Sequence, residues 1–216
     1  MTGQIPARTM RLTLQTMKEN SGSQYGHLLA AAGLARYSDM LPPDDWTPSA
    51  TSAELAELYH TVYAMLGESL TRLFLRNYGQ GLARAVLEQE WGQAMLAQAP
   101  NIPASQRVHW FVDKWLAHTG QHWTLMTVAQ DSVAWYLTPE FCQYCARISG
   151  VSAPLCAATE VMLRTVAEKI VGWRVRVVEI ECAAMGAPHC KYAIYKDSTG
   201  LGDGATAFHG SFIKQP

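Results

Sequence analysis

The residues with the clearest chemical potential lie near the C-terminus, where cysteines and a glutamate flank one predicted helix. Cys156 stands near the start of that helix, and Glu179, Cys182 and Cys190 follow it within a predicted hairpin. Thiolates are soft anionic ligands, and zinc takes four ligands in a tetrahedron. A tight turn brings Cys182 and Cys190 together, so the spacing is compatible with a metal site. Free cysteine also behaves as a small buried hydrophobe, and a C-x7-C spacing does not separate the two interpretations.

The ligand set stays open at this point. Side chains on a regular strand alternate with period two, so Glu179 and Cys182 face one ion only if the strand ends or bulges between them. Glu181 is therefore an alternative to Glu179. Cys142 and Cys145 form a C-x2-C pair, and this pair with the two hairpin cysteines is a competing four-cysteine site.

Hydrophobic periodicity predicts the elements that position these residues. Residues 154–195 are predicted to form a helix that ends at Gly172, a strand over 173–180, a turn at Gly186 and a return strand over 191–195. Upstream, residues 11–20 are predicted to form a short helix or an edge segment, and helices are predicted over residues 25–34, 53–77, 82–98 and 105–119. Strands are predicted over residues 122–128 and 132–137. The pattern predicts an α+β fold, with an N-terminal helical layer packed on a small antiparallel sheet.

Two local signals concern the long central helices. Ser52 is the predicted N-cap of the helix over 53–77. Gly79 and Gly81 form a Gly-x-Gly motif before the next predicted helix and could cradle a phosphate, although two glycines without a preceding strand are a weak signal.

Composition limits the classes of protein and partner. The 216 residues are 49% hydrophobic and 16% charged, with a formal net charge of −1, which fits one domain and argues against a nucleic-acid or anionic membrane partner. No apolar run approaches the roughly 20 residues of a membrane span, and the first residues lack a signal-peptide core. Five cysteines, an odd number, favour a reducing compartment. We therefore expect a cytoplasmic protein.

The cysteine segment resembles a known family. Cys156, the run from Glu179 to Cys182, Met185-Gly186 and the run from His189 to Tyr192 are similar to the 4-vinyl reductase domain. That family includes proteins of bacteriochlorophyll biosynthesis and the sensor domains of phenol- and xylene-responsive activators, and its fold resembles the small subunits of the Golgi tethering complex. The resemblance covers residues 154–195 closely and extends more loosely back to Arg11.

The resemblance implies a structural Zn2+ ion and a ligand site. The zinc ligands of the sensors fall on Cys156, Glu179, Cys182 and Cys190. The sensors hold an aromatic effector between the helical layer and the sheet, and the residues that fall in the corresponding region are His109, Trp110, Trp115, Trp123, Trp135 and Tyr136. The plainer interpretation of any one of these aromatic residues is that it fills the core.

We therefore expect a carrier or sensor that binds a hydrophobic planar ligand, for example a tetrapyrrole of bacteriochlorophyll biosynthesis. The alternatives are a 4-vinyl reductase enzyme acting on a chlorophyllide and an interaction scaffold with a lipid-filled cavity. A GxGxxG motif after a strand would indicate a binding site for a nicotinamide cofactor, and the sequence contains no such motif. The expected organisation is an extension over residues 1–40 that forms a homodimer, a ligand-binding domain over 41–197 with its zinc segment at 154–195, and a flexible tail over 198–216.

Overall fold

The structure, a computed structural model, describes residues 3–122 and 126–196, and these contain six helices and six strands. The helices are α1 (Ala7–Ser21), α2 (Tyr25–Ala31), α3 (Ser52–Glu88), α4 (Glu90–Gln98), α5 (Ala104–His122) and α6 (Ala157–Val171). The strands are β1 (Gln4–Pro6), β2 (Pro48–Thr51), β3 (Met126–Gln130), β4 (Ala134–Pro139), β5 (Val177–Glu181) and β6 (Lys191–Tyr195).

Four of the strands form an antiparallel sheet in the order β3-β4-β6-β5. The hairpin β3-β4 places Gln130 opposite Trp135, and β6 places Ile194 opposite Trp135 on the other side. The two central strands are mostly buried because helices cover the sheet, and α5 and α6 pack against its β3 and β5 ends. The helical layer and the small antiparallel sheet confirm the predicted α+β class.

The first helical turn of α3 carries a capping box, one residue earlier than the predicted N-cap. Thr51 Oγ1 accepts a hydrogen bond from the Glu54 backbone N–H at 3.2 Å, and Glu54 Oε2 accepts one from the Thr51 backbone N–H at 2.7 Å. The prediction of Ser52 as N-cap is therefore wrong. The Ser52 hydroxyl instead donates to the carbonyl of Gly3, because β1 and β2 hold these two segments side by side.

The predicted break near residues 77–81 is also wrong, because α3 continues through it. The single residue with non-helical backbone angles inside α3 is Gly67, with φ of 70°. Gly79 and Gly81 are helical close-packing positions. A Cβ on Gly79 would lie 2.5 Å from the Ala158 carbonyl oxygen of α6, and a Cβ on Gly81 would lie 2.3 Å from Thr16 Cγ2 of α1. These glycines are buried within a helix, which rules out the phosphate cradle.

The N-terminal segment belongs to the same hydrophobic core as the rest of the chain. Met10, Leu14 and Met17 of α1 and Leu29 of α2 are fully buried within this one chain. α1 is longer than the predicted helix over residues 11–20 and packs against α3. A homodimer formed through residues 1–40 stays a prediction, and the predicted flexible tail over 198–216 lies outside the described residues.

The remaining strand bounds differ modestly from prediction. β5 begins at Val177 rather than at residue 173, β6 has the predicted bounds, and the predicted strand over 122–128 is described only from Met126 onward. No helix in the described part of the chain combines the length and apolarity needed to cross a bilayer.

The contact at Gly79 generates a stability prediction. Gly79→Ala should lower the free energy of unfolding by roughly 1–3 kcal/mol, because the added methyl group must displace the α6 backbone. Gly26→Ala is the matched control: Gly26 is exposed on α2, and a Cβ there meets no atom within 4 Å. This control should be neutral or stabilise the fold by up to about 1 kcal/mol. Urea unfolding of both variants measures the difference, and equal free energies of unfolding would contradict close packing at Gly79.

Candidate metal and ligand sites

Four cysteines and one glutamate meet in a buried cluster, which we call the cysteine cluster. Its members are Cys145, Cys156, Glu179, Cys182 and Cys190, and one ligand atom from each lies within 4.8 Å of all the others. The structure thus brings together the four residues predicted as ligands and adds Cys145. The cysteine cluster could hold a metal ion.

An irregularity in β5 explains how Glu179 and Cys182 reach the same cluster, although they would face opposite sides of a regular strand. The pairing of β5 with β6 shifts register between Glu179 and Glu181, so that the chain no longer alternates regularly there. Glu179 and Cys182 consequently reach the same cluster, which meets the condition that the strand ends or bulges between them. Glu181 lies outside the cluster and accepts a hydrogen bond from Lys191 Nζ at 3.2 Å. Gly186, at φ 98°, reverses the chain toward Cys190.

The sulfur atoms lie closer together than the ligands of a tetrahedral zinc site. The Sγ atom of Cys145 lies 2.9 Å from that of Cys156 and 3.6 Å from that of Cys182, and the Sγ atoms of Cys156 and Cys190 are 3.5 Å apart. Zinc–sulfur bonds of about 2.3 Å in a tetrahedron imply sulfur separations of roughly 3.8 Å. Cys142 stands at the edge: its Sγ is 3.1 Å from that of Cys156, but it is only half-buried and lies outside the group of five.

Glu179 shows why this cluster suits a cation. Its Oε2 accepts a hydrogen bond from the Cys156 backbone N–H at 3.0 Å, whereas no group of the described residues hydrogen bonds to its buried Oε1. Burial, followed by the negative charge of Cys182 and Cys190, raises the pKa of this carboxyl to about 10. A cation among the ligand atoms would favour the carboxylate instead. A buried oxygen without a partner, beside soft sulfur ligands, therefore fits a bound metal ion.

The cluster also contains the groups that would stabilise thiolates. Hydrogen bonds from Cys145 and Cys156 lower the pKa of the Cys182 thiol to about 6. The backbone N–H of Leu155 donates to Cys182 Sγ at 3.5 Å, and that of Ala183 donates to Cys190 Sγ at 3.4 Å. Backbone donors of this kind orient and stabilise metal ligands from outside the coordination sphere.

A second feature, which we call the inner cavity, lies between the helical layer and the sheet. Its volume is about 70 Å³, and its walls come from α1, α3, α5, α6, the sheet and the segment after β4. Leu12, Leu82 and Met162 contribute apolar surface, and Tyr78 lies beside them. Burial raises the pKa of Tyr78 to about 12, so its hydroxyl stays neutral, and it accepts a hydrogen bond from the Tyr59 hydroxyl at 2.8 Å.

Three side chains that line the inner cavity carry polar atoms without a protein partner. They are Thr9 Oγ1, Trp115 Nε1 and the Tyr192 hydroxyl, each inaccessible to solvent and without a hydrogen bond from any described residue. Burial raises the pKa of Tyr192 well above its usual value, so this hydroxyl is a neutral donor. Buried polar groups are almost always paired in folded proteins, so these three groups are exceptions among the residues that line the cavity.

The inner cavity and the cysteine cluster share a wall. Cys142 lines the cavity while its Sγ contacts that of Cys156, and Tyr192 lines the cavity two residues after Cys190. Tyr144 also lines the cavity, one residue before Cys145. The two sites are therefore adjacent, and the same short segments contribute to both.

The structure does not gather in one place the five predicted ligand-binding residues that it describes. Trp115 lines the inner cavity, but His109 and Trp135 stack on each other, with ring centroids 5.8 Å apart, in a different cleft. Trp110 is half-buried on the outside of the core, and the Tyr136 hydroxyl donates to Asp131 Oδ2.

The periodicities of helix and strand explain this dispersal. His109 and Trp115 are six residues apart on α5, so they project in very different directions. Trp135 and Tyr136 are adjacent on β4 and face opposite sides of the sheet. Trp123 lies outside the described residues. These assignments of ligand-binding roles stay predictions.

Sequence reasoning did not single out Thr9, Tyr78 or Tyr192 as cavity residues. Tyr192 belongs to the motif that carried the family resemblance, so that motif held a usable signal. Thr9 lies in the segment assigned to a separate extension, and its place in the cavity depends on the packing of α1 against distant elements.

Residues 135–196 match the family model of the 4-vinyl reductase domain. This segment contains most of β4, the whole of α6, β5 and β6, and all five residues of the cysteine cluster. The resemblance stated from the sequence is therefore confirmed for this segment of the chain.

Two solved structures resemble the chain over most of its length. One is the phenol-responsive sensory domain of the transcription activator PoxR with phenol, with 16% sequence identity, a TM-score of 0.45 and coverage of 81% of this chain and 90% of that chain. The other is an H-NOX protein from S. oneidensis in the Fe(II)NO ligation state, with 13% identity, a TM-score of 0.42 and coverage of 85% and 97%. No curated protein sequence matches the chain.

The position of Glu179 generates a prediction about metal binding. Glu179→Gln should weaken binding of a divalent metal by about 10-fold or more, because it removes a charged oxygen from the cluster. Glu181→Gln is the matched control, because Glu181 lies two residues away and outside the cluster. Competition with a chromogenic chelator measures both affinities, and equal affinities would exclude a role for Glu179.

Proposed function

We propose that this chain is a small-molecule-binding domain that holds its ligand in the inner cavity and a structural zinc ion in the cysteine cluster. The observation that carries the proposal is the set of three unpartnered buried polar atoms, on Thr9, Trp115 and Tyr192, around an apolar cavity. Ligand sites in proteins combine apolar walls with a few polar groups that fix orientation.

The energetics favour a ligand with one polar group on an apolar body. Each buried polar atom left without a hydrogen bond costs roughly 1–3 kcal/mol. A ligand hydroxyl can accept a hydrogen bond from the Trp115 indole N–H and can exchange hydrogen bonds with the Thr9 and Tyr192 hydroxyls. The apolar walls then stabilise the remainder of the ligand by removing it from water.

The volume of the cavity restricts the size of that body. An engineered cavity of about 150 Å³ binds benzene, and the inner cavity, at about 70 Å³, is smaller. It accommodates one ring at most, and only with some outward movement of its walls. A tetrapyrrole would require the helical layer to separate from the sheet, so the volume supports a phenol-like ligand over the tetrapyrrole expected from the resemblance.

The donor set supports zinc as the metal. Buried thiolates favour zinc over the hard cations Mg2+ and Ca2+, and a closed set of protein ligands is typical of structural sites. When bound, zinc would supply a fixed tetrahedral link between the ligands. Cys156 at the start of α6, Cys182 after β5 and Cys190 before β6 would then be held together, which would brace the wall that carries Tyr192.

Removal of single hydroxyls tests the ligand site. Thr9→Val and Tyr192→Phe should each weaken phenol binding by about 5-fold or more, because each loses one hydrogen bond worth about 1 kcal/mol. Thr71→Val and Tyr25→Phe are matched controls: their hydroxyls are also buried without a partner among the described residues, but they do not line the cavity. Isothermal titration calorimetry of the zinc-loaded protein measures the affinities.

Two results would contradict the proposal. The first is equal phenol affinity in the cavity variants and their controls. The second is the absence of phenol binding by the wild-type chain at millimolar phenol. Zinc content measured for each variant separates a lost hydrogen bond from a disturbed cysteine cluster, since the proposal requires that Tyr192→Phe retain zinc.

A further inference from the structure

The cysteine cluster and its edge contain more donor atoms than one zinc ion binds. Five ligand atoms lie within 4.8 Å of one another, whereas a structural zinc site takes four protein ligands. Cys142 adds a sixth donor, because its Sγ atom lies 3.1 Å from that of Cys156. With one zinc ion bound, two of these six donors therefore have no metal to bind.

Cys142 is the cysteine that a small molecule can reach. It is half-buried, whereas the other four cysteines are buried. It also lines the inner cavity, whose volume of about 70 Å³ admits a molecule only slightly larger than water, such as hydrogen peroxide. Oxidation of cysteine depends on exposure, so Cys142 is the thiol that a peroxide meets first.

Cys156 is placed to react with an oxidised Cys142. Their Sγ atoms are 3.1 Å apart, and a disulfide bond is about 2.05 Å long, so an approach of about 1 Å joins them. Cys142 lies in the irregular segment after β4, and Cys156 is the N-cap residue of α6. An approach of this size therefore disrupts neither a helix nor a strand.

From these observations we propose that Cys142 is a site of oxidation by small hydroperoxides, that Cys156 joins it in a disulfide, and that the rest of the cysteine cluster keeps the metal. Four donors then remain, on Cys145, Glu179, Cys182 and Cys190. Cys145 takes the place of Cys156, since their Sγ atoms are 2.9 Å apart. The disulfide is independent of the proposed function, whereas retention of the metal rests on the zinc site proposed above.

The oxidation consists of two balanced steps. The Cys142 sulfur attacks one oxygen of hydrogen peroxide, the O–O bond breaks, and the thiol proton leaves with the other oxygen as water. The Cys156 sulfur, a thiolate when it binds the metal, then attacks the sulfur of the resulting sulfenic acid. The S–O bond breaks and releases hydroxide, which takes a proton from solvent. The two cysteines lose two electrons, and the peroxide gains them.

The test treats the full zinc-loaded chain with hydrogen peroxide, blocks free thiols with N-ethylmaleimide and maps disulfides by peptide mass spectrometry. The wild type should form a disulfide between Cys142 and Cys156 that excess thiol reverses, and its zinc content should stay unchanged. Cys142→Ser should form disulfides at least about 10-fold more slowly, because it lacks the exposed thiol. Gln143→Ser is the matched control: Gln143 lines the same cavity without a sulfur atom, so this variant should oxidise as the wild type does.

Cys145→Ala tests the spare donor. Before oxidation this variant keeps four donors of the cluster and should hold zinc as the wild type does. Once Cys156 enters the disulfide only three donors remain, so the variant should release its zinc to a chromogenic chelator as the disulfide forms. The wild type should release none under the same conditions.

Three results would overturn the proposal. A dominant disulfide between any other pair of cysteines would exclude Cys142 and Cys156 as the reacting pair. Oxidation of Cys142→Ser as fast as the wild type would exclude Cys142 as the site that peroxide reaches. Loss of zinc from the wild type in step with the disulfide would exclude Cys145 as the replacement ligand. Absence of zinc from the untreated wild type would remove the proposed zinc site and the retention of metal together, and disulfide mapping would still decide the role of Cys142.

Discussion

The close contact between α3 and α6 is the constraint on which both sites depend. α6 approaches α3 so closely at Gly79 that no side chain fits between that glycine and the backbone of Ala158. Ala158 is two residues from Cys156, and Gly79 follows Tyr78, which lines the inner cavity. A single helix–helix contact thereby sets the position of one residue of the cysteine cluster and one cavity wall. The segment between β4 and α6 is also attached to α3, since Ser152 donates hydrogen bonds to the Glu68 carboxylate and Arg147 pairs with Glu57.

The cysteine cluster and the inner cavity use the same short segments in different ways. In the segment after β4, Tyr144 lines the cavity and Cys145 belongs to the cluster. At the start of β6, Tyr192 lines the cavity and Cys190 belongs to the cluster. A bound metal would hold these segments from one side while a ligand contacts them from the other. Rigidity at the cluster would thus be converted into fixed positions for the polar atoms that orient the ligand.

Local sequence patterns predicted the parts of the structure that depend on neighbours in the chain. The sequence required the strand to end or bulge between Glu179 and Cys182, and β5 shifts register there; Gly172 ends α6, as expected, and is left-handed. Cys145 was assigned to a competing site because spacing alone does not reveal that it lies 2.9 Å from Cys156 in space. Gly79 and Gly81 were misread because a glycine that permits close helix packing and one that ends a helix look the same in one sequence. The contribution of α1 to the cavity arises from tertiary packing, which periodicity does not encode.

The inner cavity has one property that follows from the distance between its walls along the sequence. Thr9 lies near the beginning of the chain and Tyr192 near the end of the described residues, and both line the same small space. No contiguous fragment can reproduce that space, so it exists only when the chain has closed on itself. A ligand that binds there binds the native state and not the unfolded chain, and mass action then shifts the folding equilibrium of the entire molecule. Binding there would therefore stabilise the whole folded chain rather than one segment of it.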